Sequence, residues 1–270
     1  MLTIRKADVT IPSLKKEYHF WHFSDAHIAH AYPDDSDEAH ALAKKQAANW
    51  ATDGKPSSDV FLDVLEEAKK NDAALLLMAG DCADYYSESN LRFLKENIER
   101  NGIPVLYAYG NHEGAGYVTK LGDPRQFYPD YSVLMGETPD FQIRDFGDFM
   151  LIAVDNSDHN IRREQLDKLK EQFAKKVPVI LVMHIPLSTE AIMPDMKAKW
   201  GNNPTYFMLG TDEEPETTRE FCRLVSAEDS PVAAIFAGHV HFMHAGEFSA
   251  GRMQYTSAPG CCWDITVKGE

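Results

Sequence analysis

The sequence predicts an α/β fold in which two mixed β-sheets pack together and are flanked by helices. Apolar runs rich in Val, Ile, Leu and Phe alternate with segments of helical period, and hairpin signals occur as well. The composition, 44% hydrophobic and 26% charged, is ordinary for a globular protein. With 270 residues the chain can bury a large core, so we expect one compact domain over residues 1–270.

Five apolar runs predict buried strands, at residues 20–23, 73–79, 105–109, 177–183 and 232–237. Four segments predict helices, at residues 58–70, 89–100, 162–176 and 215–227. We expect Ser58 or Asp59 to cap the first of these helices, and Asn101 with Gly102 to end the second.

Two hairpins are predicted, one around Gly147 (residues 141–154) and one around residues 249–251 near the end of the chain. We expect a second sheet to begin at the later hairpin. Two segments, 28–49 and 192–218, fit neither pattern and are predicted to be long loops beside the functional site, where substrate contacts are common.

The charge limits the classes of partner. A net charge of −15 and a pI near 5.1 argue against bulk nucleic acid, because binding to its backbone needs clustered Lys and Arg. Small phosphorylated substrates stay compatible with this charge, since bound metal ions create a local positive centre. No run is long enough to span a bilayer and no signal peptide is indicated. With four cysteines in no metal-binding spacing, we expect a cytoplasmic protein with reduced thiols.

Each predicted strand is followed by polar residues of a kind that binds metals. The segments are Asp25-Ala26-His27, Gly80-Asp81-Cys82-Ala83-Asp84, Gly110-Asn111-His112-Glu113, His184, and Gly238-His239-Val240-His241. If the five strands belong to packed sheets, these segments emerge at one edge and form one site.

Each segment alone has a plainer interpretation. Asp81 follows a buried strand, where a carboxylate needs a cation or several donors, but it could instead cap the next helix, as could Asp84. A lone His184 after an apolar run is more often a satisfied core residue. The histidines of Gly238-His239-Val240-His241 could lie on one face of a strand.

Taken together and in this order, the five segments resemble the signature of the calcineurin-like metallophosphoesterase family over residues 20–241. The resemblance implies a four-layer αββα sandwich and two metal ions. By motif, the first ion would be held by Asp25, His27, Asp81 and His241, and the second by Asp81, Asn111, His184 and His239. Oxygen and nitrogen ligands without sulfur suit Mn, Fe or Zn.

The resemblance also implies hydrolysis of a small phosphodiester or phosphomonoester by a metal-bridging hydroxide. His112 would protonate the leaving oxygen and Asp84 would orient it. The alternatives are a protein phosphatase and a catalytically idle metal-binding scaffold. Protein phosphatases of this family carry arginines that bind the substrate phosphate at the positions held here by Tyr85, Tyr86 and Tyr109. Without these arginines a small substrate is favoured over a phosphoprotein. The segment Ser24-Asp25-Ala26-His27 is similar to the first motif of a group that includes cyclic-nucleotide and other phosphodiesterases, so we expect a phosphodiesterase before a phosphomonoesterase.

Residues outside the signature are candidates for substrate contacts. Aromatic side chains near the motifs could stack on a base or pack in the core. The aromatic candidates are Tyr85, Tyr86, Tyr117, Tyr206, Phe207 and Phe242, whereas His30 and His244 could contact the substrate phosphate or simply be exposed. The oligomeric state is left open.

Overall fold

The computed structural model describes residues 1–115, 124–201 and 207–270. In chain order its strands are β1 (Thr3–Thr10), β2 (Tyr18–Phe23), β3 (Leu75–Ala79), β4 (Val105–Ala108), β5 (Phe141–Asp145), β6 (Met150–Val154), β7 (Val179–Met183), β8 (Val232–Ala237), β9 (His244–Ser249), β10 (Arg252–Thr256) and β11 (Cys261–Lys268). Its α-helices are α1 (Asp37–Asn49), α2 (Ser57–Lys70), α3 (Glu88–Asn101), α4 (Tyr128–Met135), α5 (Arg163–Phe173), α6 (Met193–Trp200) and α7 (Glu216–Ser226).

The strands form two mixed sheets. The five-stranded sheet has the order β1-β11-β2-β3-β4, and the six-stranded sheet has the order β5-β6-β7-β8-β10-β9. Strands β2, β3 and β4 run parallel in the first sheet, as do β6, β7 and β8 in the second. The carboxyl ends of each parallel set therefore lie at one sheet edge, which is where ligand sites form in α/β proteins.

Alternating strand residues build separate layers of the core, because successive side chains point to opposite faces of a sheet. Along β3, Leu75 and Leu77 pack between the two sheets, where they meet residues of the second sheet such as Phe149. Leu76 and Met78 point the other way, into a cluster with α2, α3 and α4. The outer face of the second sheet packs on α5 and α7. The result is the predicted four-layer αββα sandwich.

Most predicted elements are confirmed within a few residues. Helices α2, α3, α5 and α7 correspond to the four predicted helices, and both hairpins form antiparallel pairs, β5 with β6 and β9 with β10. Gly102 ends α3 in the left-handed conformation with φ 82°, as expected for a residue at this position.

Three expectations are wrong. The last hairpin starts no second sheet, because β10 pairs in parallel with β8 and extends the sheet that already contains β5 to β8. Residues 37–49 form α1 instead of a loop; Ser36 caps it by accepting from Ala39 N over 3.2 Å. Neither Ser58 nor Asp59 caps α2, because this helix begins at Ser57 after Pro56, so both residues lie inside its first turn, and it has no side-chain cap.

Helix α6 also lies inside a predicted loop, so the segment 192–218 is only partly irregular in the described residues. The structure adds β1 and β11, which pair in parallel from Thr3 with Cys261 to Thr10 with Lys268. Within the described residues no helix is long and apolar enough to cross a membrane. All four cysteines are free thiols.

Candidate metal centre

The five polar segments follow five parallel strands and meet at one edge of the sandwich. Asp25 and His27 follow β2, Asp81 follows β3, and Asn111 follows β4. His184 follows β7 and His239 follows β8, and both of these strands belong to the six-stranded sheet. Backbone hydrogen bonds join neighbouring segments, such as Asp25 N to the Gly80 carbonyl over 3.0 Å. The ends of both sheets thus build one site, as the order of the motifs predicts.

One group of ligand atoms comes from Asp25, His27, Asp81 and His241, whose ligating atoms all lie within 4.8 Å of one another. His241 Nε2 lies 3.2 Å from Asp25 Oδ1 and 3.2 Å from His27 Nε2. The side chains of Asp25 and His27 are fully buried, and that of His241 is 15% exposed. This set is the one that the motifs predict for a first ion.

A second group comes from Asp81, His184 and His239, again within 4.8 Å. His184 Nε2 lies 3.1 Å from Asp81 Oδ2, 3.1 Å from His239 Nδ1 and 3.0 Å from Asn111 Oδ1. Asp81 belongs to both groups, so one carboxylate lies between two clusters of ligand atoms. The interpretation of Asp81 as a helix cap is wrong, because its Oδ1 accepts from His112 N over 2.8 Å.

The donor atoms suit two metal ions. His27 Nδ1 lies 3.2 Å from Asp84 Oδ1, and His184 Nδ1 donates to the Ala79 carbonyl over 2.7 Å. Each such bond keeps the proton on Nδ1 and leaves the lone pair of Nε2 facing the cluster, which is how metal-binding histidines are held. Nitrogen atoms that face each other at about 3.1–3.2 Å must share a proton or a cation. The residues present therefore fit the ions that the resemblance implies.

The backbone is strained where these side chains originate. Asp25, His27, Asp81, His239 and His241 all have positive φ, between 44° and 68°. Such angles are uncommon for residues other than glycine, and they concentrate at functional sites where the surrounding structure enforces them. Here the left-handed turns let Asp25 and His27, two residues apart in the chain, both reach the first group of ligand atoms.

Two glycines allow the strand ends to approach closely. A Cβ on Gly110 would lie 2.3 Å from Asp81 N, and one on Gly238 would lie 2.6 Å from Asp25 Oδ2. No side chain fits at either distance. Because Gly238 has none, His239 N can donate to both carboxylate oxygens of Asp25, over 3.0 and 3.1 Å.

Glu113, the last residue of the third motif, supports the turn after β3. Its buried carboxylate accepts from the backbone N–H groups of Asp81, Cys82 and Gly110 over 2.9, 2.7 and 3.0 Å. Tyr107 Oη donates to the same carboxylate over 2.5 Å. Burial raises the pKa of Glu113 to about 7. This carboxylate fixes the backbone that carries Asp81, without belonging to either group of ligand atoms.

Asp84 connects three rings at the edge of the first group. Its Oδ1 lies 3.1 Å from His112 Nδ1 and 3.2 Å from His27 Nδ1, and it accepts from Trp50 Nε1 over 2.7 Å. The Trp50 indole also stacks on His27, with ring centroids 3.7 Å apart and planes 8° from parallel. Asp84 does not cap α3, since Ser87 does. Its carboxylate contacts His112 and His27 alike, and the role of orienting His112 stays a prediction.

The charges of the site shift its titrations. Burial lowers the pKa of His112, but the Asp81 carboxylate and the contacts with Asp84 outweigh it and raise this pKa to about 10. Burial and the neighbouring His184 lower the pKa of His239 to about 3. Burial would raise the pKa of Asp81, yet His184 and His112 hold it well below its usual value. Burial lowers the pKa of His184 as well, but the Asp81 carboxylate outweighs it and raises this pKa to about 9. His112 and His184 are thus both favoured as protonated rings beside the carboxylates.

The ligand atoms open into a cavity of about 520 Å³. Its lining comprises Trp50, Asp81, Asn111, His112, Ser157, Asp158, His159, Trp200, Phe207, His239 and His241. Of the aromatic candidates, Phe207 lies in this cavity, stacked on Trp200 with centroids 4.7 Å apart. Sequence reasoning missed both tryptophans and residues 157–159. The positive φ of His159, 59°, marks it only once the structure is known.

The other substrate-contact candidates lie elsewhere. Tyr85 is buried, and Tyr86 donates to Asp130 on the surface. His30 packs on Phe93, and His244 is buried against Asp195. Phe242 lines an adjoining cavity. Tyr117 and Tyr206 lie outside the described residues.

A family model described as calcineurin-like phosphoesterase matches residues 18–243. A curated protein of Coxiella burnetii, described as a probable cyclic nucleotide phosphodiesterase, is 22% identical over 195 residues, which cover 71% of this chain and 68% of that protein.

Two solved structures share the fold. One is a dimetal phosphatase from Danio rerio, with a TM-score of 0.59 and 14% identity, covering 90% of this chain and 88% of that one. The other is a purple acid phosphatase from yellow lupin, with a TM-score of 0.53 and 15% identity, covering 93% of this chain and 46% of that one. At these identities the likeness extends to the architecture alone.

Proposed function

Because the chain belongs to the calcineurin-like phosphoesterase family, we propose that it is a phosphodiesterase that acts on a small substrate with two bound metal ions. The observation that carries the proposal is the position of Asp81. It lies in both groups of ligand atoms, and a carboxylate shared in this way is what a two-metal site requires.

The two groups of ligand atoms support the assignment of the residues that would hold the ions. Asp25, His27, Asp81 and His241 are assigned to the first ion, and Asp81, Asn111, His184 and His239 to the second. Mn, Fe and Zn are the metals that this mixture of oxygen and nitrogen donors suits. When bound, the pair supplies the Lewis acidity that activates water and the positive charge that receives the phosphoryl oxygens.

His112 is assigned as the proton donor to the leaving oxygen. Its Nδ1 is held by Asp84, through the backbone carbonyl at 2.8 Å and the carboxylate at 3.1 Å, so Nε2 is the atom left for the substrate. The ring lines the cavity and its side chain is 22% exposed, which gives a substrate access. A ring held protonated beside carboxylates can transfer its proton as the ester bond breaks.

A diester fits the cavity better than a monoester. Among the described residues that line it there is no Lys or Arg, whereas a terminal phosphate carries one more negative charge and calls for such a group. Trp200 and Phe207 offer apolar surface to the alcohol groups of a diester. The phosphodiesterase description of the Coxiella burnetii relative supports the same choice.

The test compares bis(p-nitrophenyl) phosphate with p-nitrophenyl phosphate on metal-stripped protein reloaded with Mn²⁺, Fe²⁺, Zn²⁺ or Mg²⁺. We expect metal-dependent turnover that is faster with the diester, and a loss of about 10²–10⁴-fold in His112→Ala with its metals retained. His19→Ala is the matched control, since His19 is an exposed histidine bonded to Glu17. Faster monoester turnover would contradict the diester preference. Two bound ions without turnover of either ester would favour the idle scaffold.

A further inference from the structure

A second cavity adjoins the candidate metal centre. It has a volume of about 560 Å³, and it shares Trp50 and His241 with the first cavity. The two rings are nearly perpendicular, at 83°, with centroids 5.1 Å apart. Both side chains border both spaces, so the second cavity begins beside the candidate metal ligand His241.

The two cavities differ in charge. The first contains Asp81 and Asp158, whereas the described lining of the second contains no carboxylate and two cationic side chains, Arg5 and Lys199. This is unusual for a chain with a net charge of −15. Arg5 comes from β1 and Lys199 from α6, so separate parts of the fold bring the two cations to one space.

Neither cation is neutralised by a neighbouring acid. In the described part of the chain no Asp or Glu forms an ion pair with Arg5 or Lys199, although surface pairs such as Lys55 with Asp63 occur elsewhere. The Lys199 ammonium instead lies over the Trp200 ring, 5.8 Å from its centroid. Both groups are exposed and available to an anion. A guanidinium and an ammonium are the side chains that bind phosphate most readily.

The rest of the lining suits the body of an organic ligand. Phe242 and Met243 provide apolar surface, and Thr3 and Thr52 provide hydroxyl groups that can donate or accept. An apolar surface with a few polar groups and a charged end is the usual composition of a small-molecule site.

We propose that the second cavity binds a further phosphate group of the substrate, held by Arg5 and Lys199, while the scissile phosphodiester lies at the metal centre. The inference rests on the proposed function, and it identifies the substrate class as a phosphodiester that carries a second phosphate group on one of its two alcohol parts. Arg5 and Lys199 then determine specificity and take no part in the chemistry.

The test uses two chromogenic diesters that differ by one phosphate: thymidine 5′-(p-nitrophenyl phosphate) and its 3′-phosphorylated form. Both release p-nitrophenol, so the chemistry is the same. We expect the 3′-phosphate to raise kcat/KM about tenfold, mainly through KM, and Arg5→Gln and Lys199→Gln each to remove most of that gain. Lys197→Gln is the matched control, because Lys197 is an exposed lysine of α6 outside the lining of either cavity.

A second readout does not depend on turnover. Calorimetric binding of thymidine 3′,5′-bisphosphate and thymidine 5′-phosphate to the metal-loaded protein should show the bisphosphate binding more tightly, with the difference lost in Arg5→Gln. Equal affinity for the two ligands, or an advantage that survives both substitutions, would overturn the proposal. Failure of the proposed function would look different: neither diester would be hydrolysed by any variant, while the binding difference would still be measurable.

Discussion

The indole N–H of Trp50 donates to Asp84 Oδ1 over 2.7 Å, so a residue that directly follows α1 holds the carboxylate that contacts both His27 and His112. One oxygen thereby connects a candidate metal ligand, the candidate proton donor and a wall of the cavity. Trp50 is a positioning residue in this account, since it acts on the chemistry through Asp84.

Trp50→Phe should keep an aromatic ring over His27 and lose the hydrogen bond to Asp84. Because bonds to charged groups contribute about 1.5–3 kcal/mol, we expect kcat for bis(p-nitrophenyl) phosphate to fall about 10- to 150-fold with little change in metal content. Trp263→Phe is the control, since its indole donates over 2.8 Å to the Thr256 carbonyl, away from the site. An equal loss of kcat in both variants would reduce Trp50 to a structural role.

Asp81→Asn should remove the charge shared by both groups of ligand atoms while preserving the size of the side chain. We expect fewer than two ions per chain after loading and dialysis, measured by elemental analysis, and a matching loss of turnover. Asp8→Asn is a suitable comparison, because Asp8 pairs with Lys268 on the surface. Two tightly bound ions in Asp81→Asn would exclude the shared position.

Gly238→Ala should disrupt the site through a single methyl group. The added Cβ would lie 2.6 Å from Asp25 Oδ2 and from Ser24 Oγ, so the chain after β8 must move. We expect a stability loss of about 1–3 kcal/mol in urea denaturation together with weakened metal binding. Gly54 also has a left-handed backbone, but a Cβ added there would meet open space. Gly54→Ala should therefore lower stability without weakening metal binding. Unchanged metal affinity in Gly238→Ala would show that close approach is not required.

Metal removal should lower thermal stability. Asp25 and Asp81 are buried beside converging imidazoles, and ions that bind only this folded arrangement shift the equilibrium toward it. At a hundred times the dissociation constant, one such ion stabilises by about 2.7 kcal/mol. A clear drop in Tm on chelation, reversed by Mn²⁺ or Zn²⁺, is the expected result of differential scanning calorimetry. In Asp81→Asn the same treatment should have a smaller effect.

The convergence of the five polar segments was predictable because each follows a strongly apolar run, whereas the choice of seven candidate ligands within them came from the family resemblance. Parallel strands end at a common edge, so residues such as Asp81 and His184 could be brought together from their sequence context alone. The parallel pairing of β1 with β11 was not predictable in this way, since it joins the two ends of the chain and leaves no local signal. Strand β1 is also largely exposed, which weakens its apolar pattern.

Trp50 could not be found from the sequence for a related reason. It contacts Asp84, 34 residues away in the chain, only because α1 places it there. That helix was predicted to be a loop, because it buries only Ala43, Gln46 and Ala47 and so lacks a strong apolar stripe. Arg5 and Lys199 likewise could not be paired from the sequence, because they line one cavity only through the placement of β1 and α6 in the fold.

The most direct test of the two-metal account is a titration of metal-stripped protein with Mn²⁺ while hydrolysis of bis(p-nitrophenyl) phosphate is followed. In the proposed mechanism, an ion at each of the two groups of ligand atoms that share Asp81 is needed to activate water and to hold the phosphoryl oxygens. Activity should therefore rise to a plateau at two equivalents per chain. A plateau at one equivalent, or turnover without added metal, would contradict it.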